Sequence, residues 1–505
     1  MPNIAVFPRV ALIVALLTGA CRDFEPDPTG PITPPPPPPV GSAAPFRIGS
    51  TGADYARNVV TDVVGNGYVA SYFSGSVDFD PTSGTTIRAS LGGNDIGVAK
   101  YAPNGALVWA VSLGGAVNDQ PLDMALTGDG GVYVVGFAGA GLSCGGAPVV
   151  NNGGRDILLA RISPIGTCQW ARSIGGAQDD EGRGIAVRTD GSVTVVGLFR
   201  DVADFDPAAG IAALTSRGGL DGFIASYTSA GAFIAVSQMG GTGDDVLVTV
   251  RTTSGGDVVV GGEFRGLATL GSSVLSVPVV SAGESDMVVA KYDPQLDLKW
   301  ALRGGGTQAD QVGALVIEGT GSIVVVGGFA GVADVGTGGA AVPLASAGGQ
   351  DVYIVRYDTD GRWQGLARRF GGSGSDGALG VALDAAGNIL ISGWFQGAVD
   401  FDPGPGTTPL AGLGTAGAGD AFLVSLDAGA NLRWAAPVGA VVAGDANFAL
   451  GGGVSVDSDG VAWWVGRFFG SVDLDPRAGA VTVQSGGDAD QFVVRLNAAT
   501  GSLAP

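Results

Sequence analysis

The segment DIGVAKY, residues 95–101, decides the fold because versions of it recur along the whole chain. Each version opens with an aspartate and then carries mainly apolar residues, which is typical of a buried β-strand. A strand that returns about every 65 residues indicates repeated structural units. The opening aspartates are Asp95, Asp156, Asp221, Asp286, Asp351, Asp420 and Asp490.

Two further markers recur in the same order. One is an apolar run that ends in glycine and an aromatic residue, as in Val193–Phe199 and Ile323–Phe329. The other is an aspartate that usually follows a Gly-Gly pair: Asp54, Asp119, Asp180, Asp245, Asp310, Asp376 and Asp445. Each marker occurs seven times, and we number the units repeats 1 to 7. Each unit divides into four short apolar segments separated by turns, which predicts a four-stranded antiparallel meander.

The phase of the repeat predicts how the fold closes. Phe46–Gly49 aligns with a fourth strand, whereas the chain ends on a third strand, Gln491–Leu496, and a short tail. The N-terminal segment would therefore complete the last repeat. The sequence predicts an all-β, seven-bladed β-propeller of four-stranded antiparallel blades over residues 46–505, with its ring closed by the N-terminal strand.

Three stretches carry a family resemblance: Gly371–Asp376, Val381–Asn388 and Asp420–Leu426. They resemble the SBBP class of β-propeller repeat, and the resemblance covers about residues 46–505. That class is common in exported bacterial proteins. The resemblance implies a propeller fold and a location outside the cytoplasm, and it implies no reaction.

Residues 1–20 have the pattern of a signal peptide. Arg9 precedes the apolar run Val10–Leu17, which is too short for a membrane-spanning helix of about 20 residues. Leu17–Cys21 resembles a bacterial lipoprotein signal, which implies a lipidated, palmitate-bearing Cys21. The alternative is an ordinary cleaved signal with an incidental cysteine.

Two features after Cys21 bear on localisation. Arg22 is not the aspartate associated with inner-membrane retention, so the resemblance favours the outer membrane. The segment 21–45 is rich in proline, including the run Pro34–Pro39, and predicts an extended polyproline II linker. We expect an exported protein that is lipid-anchored at the outer membrane or cell surface.

Charge and composition exclude several classes of function. The formal net charge is −21 and the only lysines are Lys100, Lys291 and Lys299, which argues against a nucleic acid partner. The chain contains no histidine. Its absence removes the commonest general base and any Ser-His-Asp or Cys-His nucleophile pair.

The motif Asp-Phe-Asp-Pro is the strongest candidate for a metal site. Carboxylates two residues apart in an extended segment point the same way, as calcium ligands could. The alternative is a turn in which the aspartates accept backbone N–H bonds. The candidate calcium ligands are Asp78, Asp80, Asp204, Asp206, Asp400, Asp402, Asp473 and Asp475.

Cysteines and tryptophans predict local packing. Cys144 and Cys168 both lie in repeat 2, and outside the cytoplasm they are expected to form a disulfide. A ligand contact at the adjacent Trp463 and Trp464 is a further hypothesis, since this pair is not repeated. Four tryptophans at equivalent fourth-strand positions predict packing rather than carbohydrate stacking: Trp109, Trp170, Trp300 and Trp434.

These features favour a non-catalytic, surface-displayed propeller lipoprotein with a binding or envelope-structural role. We expect a monomer without a cofactor, attached to a membrane by its lipid and binding a protein or glycan. The aspartates that open the third strands are expected to accept backbone N–H bonds, not to catalyse a reaction. The alternatives are a carboxylate-based polysaccharide lyase or glycosidase, and a calcium-dependent adhesin.

Overall fold

The computed structural model describes residues 44–504 except 272–274, 413–418, 442–446 and 478. The signal peptide, Cys21 and nearly all of the linker therefore lie outside the described residues. The described residues form strands, turns and loops, and none of them belongs to a helix that could span a membrane. Valine-rich runs broken by glycine turns dictate this all-β architecture.

Each of repeats 1 to 6 forms a four-stranded antiparallel arrangement in which sequential strands pair. The strands of repeats 1 to 3 are Tyr55–Thr61, Gly67–Phe73, Asp95–Tyr101 and Leu107–Leu113; Gln120–Leu126, Val132–Ala138, Asp156–Ile162 and Cys168–Gly176; and Glu181–Val187, Val193–Asp204, Ala213–Tyr227 and Phe233–Gly241. Those of repeats 4 to 6 are Val246–Thr252, Val258–Gly271, Ser276–Tyr292 and Leu298–Gly306; Asp310–Ile317, Ile323–Asp334, Pro343–Tyr357 and Trp363–Gly372; and Gly377–Leu383, Ile389–Phe395, Asp420–Leu426 and Leu432–Ala440.

Repeat 7 takes its outermost strand from the N-terminal segment. Its own strands are Phe448–Val456, Val461–Phe469 and Asp490–Asn497, and the fourth place is occupied by Phe46–Ile48. Phe46 pairs with Val493 and Ile48 pairs with Gln491 in antiparallel register. The predicted pairing of the two chain ends is thus present in the structure.

Successive sheets pack face to face around their first strands. Tyr55–Thr61 of repeat 1 lies against Gln120–Leu126 of repeat 2 and also against Phe448–Val456 of repeat 7. The space between two sheets is filled by apolar side chains from both, as where Val465 and Val493 of repeat 7 meet Val59 of repeat 1. Burial of one such side chain contributes about 1.5–3 kcal/mol. The packing between neighbouring repeats therefore stabilises the fold.

A hairpin joins the second and third strands of each repeat and folds over the outer edge. In repeats 3 to 5 it is continuous with those long strands, and in the others it is short: Ser76–Asp78 with Ile87–Ala89, Ser143–Cys144 with Ala147–Pro148, Ala398–Asp400 with Pro409–Ala411, and Ser471–Asp473 with Thr482–Gln484. In repeats 3 to 7 the hairpin also pairs with the preceding repeat's fourth strand, as Asp204 does with Gly175. The hairpins of repeats 1 and 2 form separate two-stranded sheets.

One buried side chain fixes each hairpin to the body of the fold. The phenylalanine of Asp-Phe-Asp-Pro inserts into the core, where Phe79 touches Phe73 and Phe205 touches Phe223. Other repeats use smaller apolar residues at the same place. We call these residues the latch residues: Phe79, Cys144, Phe205, Leu270, Val335, Phe401 and Leu474, all at most 6% exposed.

Candidate binding face

The aspartates that open the third strands are structural. Asp95 accepts the backbone N–H of Leu91 at 3.0 Å, and Asp351 accepts that of Ala347 at 2.9 Å. Asp156, Asp221, Asp286 and Asp490 accept from the residue four positions earlier in the same way. Asp420 accepts the N–H of Ala440 at 3.3 Å. These bonds confirm the expected hydrogen-bonding role.

The aspartates after the Gly-Gly pairs connect one repeat to the next. The N–H of Asp119 donates to the carbonyl oxygen of Asn94 at 2.7 Å, while its carboxylate accepts the N–H groups of Gly115 and Gly139. A Cβ on Gly114 would lie 2.1 Å from the Asp95 carboxyl carbon, so the first glycine of the pair makes room for it. Burial first, and then the Asp95 charge, raise the pKa of Asp119 to about 7.

The same arrangement links the two ends of the chain. The N–H of Asp54 donates to Ala489 at 2.7 Å, and its carboxylate accepts the N–H groups of Ser50 and Ser74. Burial raises the pKa of Asp54 to about 7, and the charge of Asp490 adds to this effect. The carboxylates of the equivalent aspartates in repeats 3 to 6 also accept backbone N–H groups, so these residues serve the same structural purpose wherever they are described.

A different set of positions varies from repeat to repeat at the same end of the strands. One of these positions directly follows the glycine of the second strand, or the residue that replaces this glycine. It is occupied by Tyr72, Phe137, Leu198, Glu263, Gly328, Trp394 and Arg467. Each pairs with a first-strand residue: Tyr55, Gln120, Glu181, Val246, Gln311, Gly377 and, in repeat 7, Leu450. We call these positions together the variable face, because each repeat contributes a chemically different pair.

Charged side chains cluster on the variable face in repeats 2 to 4. Arg155 lies 3.4 Å from Glu181, and Arg183 lies 2.8 Å from the same carboxylate. The Arg155 guanidinium also lies over the Phe137 ring, 4.7 Å from its centroid. Burial raises the pKa of Glu263, whereas a hydrogen bond from Ser285 and the positive Arg183 act in the opposite direction. Two glutamates in unlike environments thus share one arginine.

Aromatic and cationic side chains cluster where repeats 7 and 1 meet. The rings of Tyr55 and Tyr72 are in edge contact at 5.8 Å. The guanidinium carbons of Arg57 and Arg467 lie 5.0 Å and 4.9 Å from the Tyr55 ring centroid. Arg467 also lies 5.7 Å from the ring of Phe448. Sequence reasoning missed this cluster because it joins residues almost 400 positions apart.

The aspartates of the candidate calcium sites form the hairpin turns. The first aspartate accepts two backbone N–H groups, as Asp78 does from Asp80 and Thr86, and the second accepts one two residues on. Asp204 with Asp206, Asp400 with Asp402, and Asp473 with Asp475 repeat this pattern. No group of three or more acidic, cysteine or histidine side chains suited to a metal occurs among the described residues. Calcium binding at these loops stays a prediction.

Cys144 and Cys168 form the predicted disulfide, with their Cα atoms 5.4 Å apart. It ties the short hairpin of repeat 2 to that repeat's fourth strand. The fourth-strand tryptophans pack as expected, because Trp109 donates to Pro164 and Trp300 to Thr359 in the following repeat. Trp463 and Trp464 are both fully buried, so the hypothesis of a direct ligand contact there is wrong.

The repeated four-stranded sheets, packed through their first strands, define an all-β repeat protein of the β-propeller class. No family model matches the chain. It is 26% identical over 445 residues to the regulatory protein FlaEY of Caulobacter vibrioides, across 84% of this chain and 42% of that protein. It is 23% identical over 368 residues to an uncharacterized WD repeat-containing protein of Acanthamoeba polyphaga mimivirus, across 60% of this chain and 26% of that protein.

The chain thus spans less than half the length of these curated relatives. Among solved structures, the WD40 domain of Neurospora crassa Pan2 is similar at 8% identity and a TM-score of 0.41. That similarity covers 87% of this chain and 88% of the Pan2 domain.

Proposed function

We propose that the chain forms a closed, seven-bladed propeller that is displayed at the cell surface as a lipoprotein and binds a ligand without catalysing a reaction. Three contacts support closure. The N-terminal strand pairs beside Gln491–Val493, the first strands of repeats 1 and 7 are neighbours, and Asp54 donates to Ala489. Deleting residues 44–49 should lower the melting temperature by several degrees, and an unchanged melting temperature would count against closure.

The proposal that the chain binds a ligand rests on the variable face. In a repeat protein, residues that are alike in every unit serve the fold, as the aspartates do here. Residues that differ in every unit give this end of the strands a different chemistry in each repeat, and some of them, such as Gln311 and Trp394, are partly exposed. Such a surface can recognise an asymmetric ligand, and the loops at the ends of a rigid scaffold are common binding positions.

A binding screen with matched variants tests this assignment. The full chain would be screened against glycan and protein arrays, together with Trp394→Ala and Gln311→Ala on the variable face. Ile165→Ala is the control, because Ile165 is 77% exposed in a turn at the opposite end of the strands. We expect the first two variants to weaken the binding of a captured ligand and the control to leave it intact. Loss confined to the control would contradict the assignment.

The lipid anchor is a separate part of the proposal and rests on the sequence around Cys21. Mass spectrometry of the N-terminal peptide and metabolic labelling with palmitate analogues test it. The Cys21→Ala variant should lose the label and leave the membrane fraction. An unmodified N-terminus beyond residue 21 would contradict the anchor while leaving the binding proposal intact.

The glutamates of repeats 2 to 4 favour one alternative, a carboxylate-based lyase or glycosidase. Arg155 and Arg183 form ion pairs with Glu181, whereas burial raises the pKa of Glu263. Two carboxyl groups in such unlike environments can act as base and acid. Depolymerisation of an acidic polysaccharide by the wild type and its loss in Glu263→Gln would replace the non-catalytic proposal.

A further inference from the structure

The junction of repeats 7 and 1 holds two arginines, Arg57 and Arg467. Among the described residues, no carboxylate forms an ion pair with Arg57 or Arg467, although the chain carries a net charge of −21. Arg467 makes one long hydrogen bond, 3.4 Å to the hydroxyl of Tyr72. The Nε atoms of both arginines are buried without a hydrogen-bond partner. Two positive groups held around one Tyr55 ring are suited to an anion.

A buried amide at the same place also lacks partners. Gln491 is fully buried, and neither its side-chain oxygen nor its nitrogen has a hydrogen-bond partner among the residues that the structure describes. It pairs directly with Arg467, so the two side chains lie on the same face of the sheet, toward repeat 1. The other repeats have apolar residues or glycine here: Ile96, Ile157, Gly222, Met287, Val352 and Ala421. A buried amide left without partners is costly, which indicates that something polar completes this site.

Apolar rings border the arginines. Phe448 and Phe469 are half-buried and stacked, with centroids 5.9 Å apart and planes inclined by 19°. The Arg467 guanidinium lies over the Phe448 ring of this pair. The site therefore offers positive donors, an amide that can donate and accept, and an apolar wall. A sugar ring that carries a carboxylate matches all three, because its apolar face can lie on an aromatic ring.

We propose that this junction binds the carboxylate of an acidic sugar, with Arg57 and Arg467 as the charged donors and the buried Gln491, which pairs with Arg467, as a positioning residue. The inference rests on the proposed binding function of the variable face and specifies its ligand chemistry. Gln491 acts through Arg467, because an apolar residue at position 491 would leave both arginines in place but remove the amide beside Arg467.

Calorimetric titration of the full chain with oligogalacturonate tests the proposal. A neutral galactose oligomer and inorganic phosphate are the comparison probes. We expect the wild type to bind the uronate and not the neutral oligomer, with binding that weakens as salt increases. Arg57→Gln and Arg467→Gln should each raise the dissociation constant at least about tenfold, the loss of one charge-assisted hydrogen bond.

Two further variants separate binding from folding. Arg362→Gln is the control, since Arg362 is an exposed arginine at the opposite end of the strands and should bind like the wild type. Gln491→Leu installs the kind of side chain that other repeats carry and removes an unpartnered buried amide, so it should keep or raise the melting temperature and still weaken uronate binding. If Gln491→Leu binds normally, the amide has no role in recognition and the site as proposed is wrong.

The remaining outcomes also decide the question. Equal binding of phosphate and uronate would show a general oxyanion site and overturn the sugar assignment. No binding of any probe would overturn the inference. The proposed function would nevertheless survive if Trp394→Ala or Gln311→Ala abolished capture of some other ligand, so the two proposals fail separately.

Discussion

Arg47 in the N-terminal strand forms an ion pair with Asp490 in the last strand, and it does so from the fourth-strand position that Arg303 and Arg369 occupy in repeats 4 and 5. The register is the same, because Arg47 pairs with the residue two places after Asp490, as Arg303 does with the residue two places after Asp286. The chain ends thus reproduce a contact that is otherwise made within one repeat.

Replacement of Arg47 should destabilise the fold as much as replacement of Arg303. Each substitution leaves a fully buried carboxylate without its cation, and we expect Arg47→Ala and Arg303→Ala each to lower the free energy of unfolding by about 1–3 kcal/mol. Urea unfolding measures both. A destabilised Arg303→Ala beside an unchanged Arg47→Ala would show that the N-terminal strand does not contribute like a fourth strand.

The buried aspartates predict that the domain is more stable in mild acid than in mild alkali. Burial raises the pKa values of Asp54, Asp119, Asp180, Asp245 and Asp310 to about 7, above the 3.8 of an exposed group. The folded state therefore binds protons more tightly, so this contribution to stability is complete below pH 4 and is lost as the pH rises through about 7. We expect the urea midpoint to fall between about pH 4 and pH 7 and to level off at higher pH. A rising midpoint would contradict this account.

Substitutions of Asp95 test whether the buried carboxylates cause this pH dependence of stability. Its Oδ2 accepts the N–H of Leu91, while its Oδ1 is buried without a partner, and its charge helps to raise the pKa of Asp119. Asp95→Asn keeps one acceptor and removes the charge, so it should be at least as stable as the wild type at pH 8 and less dependent on pH. Asp95→Ala loses the bond to Leu91 and should cost about 1–3 kcal/mol at pH 5. Thermal melts of both variants at the two pH values measure the difference.

The disulfide stabilises the hairpin of repeat 2, which lacks both the Asp-Phe-Asp turn and a large latch residue. Its cross-link closes a 24-residue separation, for which a contribution of about 3 kcal/mol is expected. The double variant Cys144→Ser/Cys168→Ser should therefore melt several degrees lower than the wild type. Reducing agent should lower the wild-type melting temperature equally and leave the variant unchanged. A wild type unaffected by full reduction, verified by thiol labelling, would contradict this role.

Experiments on repeat 3 test whether its hairpin is held by the latch residue or by calcium. Phe205 is fully buried, and Phe205→Ala should cost about 3–5 kcal/mol in unfolding experiments. The carboxylates of Asp204 and Asp206 already accept backbone N–H groups, so we expect the same melting temperature in chelator and in millimolar calcium. A calcium-dependent rise that disappears in Asp204→Ala/Asp206→Ala would establish the metal site.

Patterns within one repeat were predictable from the sequence, whereas contacts between repeats were not. Alternation of apolar residues and glycine turns located the strands, and the predicted Gln491–Leu496 differs from the observed Asp490–Asn497 by one residue at each end. The latch role of Phe79 was missed because its burial depends on how the hairpin folds over the outer edge of the sheets. The Arg57 and Arg467 cluster depends on two distant repeats meeting, although the single glutamine at position 491 breaks an apolar series visible in the sequence.

The hairpins have a consequence for local opening of the fold. Those of repeats 3 to 7 add ladder pairs to the preceding repeat, whereas those of repeats 1 and 2 form separate two-stranded sheets. The junctions of repeat 1 with repeat 7 and with repeat 2 therefore lack these additional β-ladder pairs. Amide hydrogen exchange should be fastest along repeat 1, where the fewest bonds must break together. A ligand held by Arg57 and Arg467 would bridge one of these two junctions and slow the exchange of the neighbouring strands.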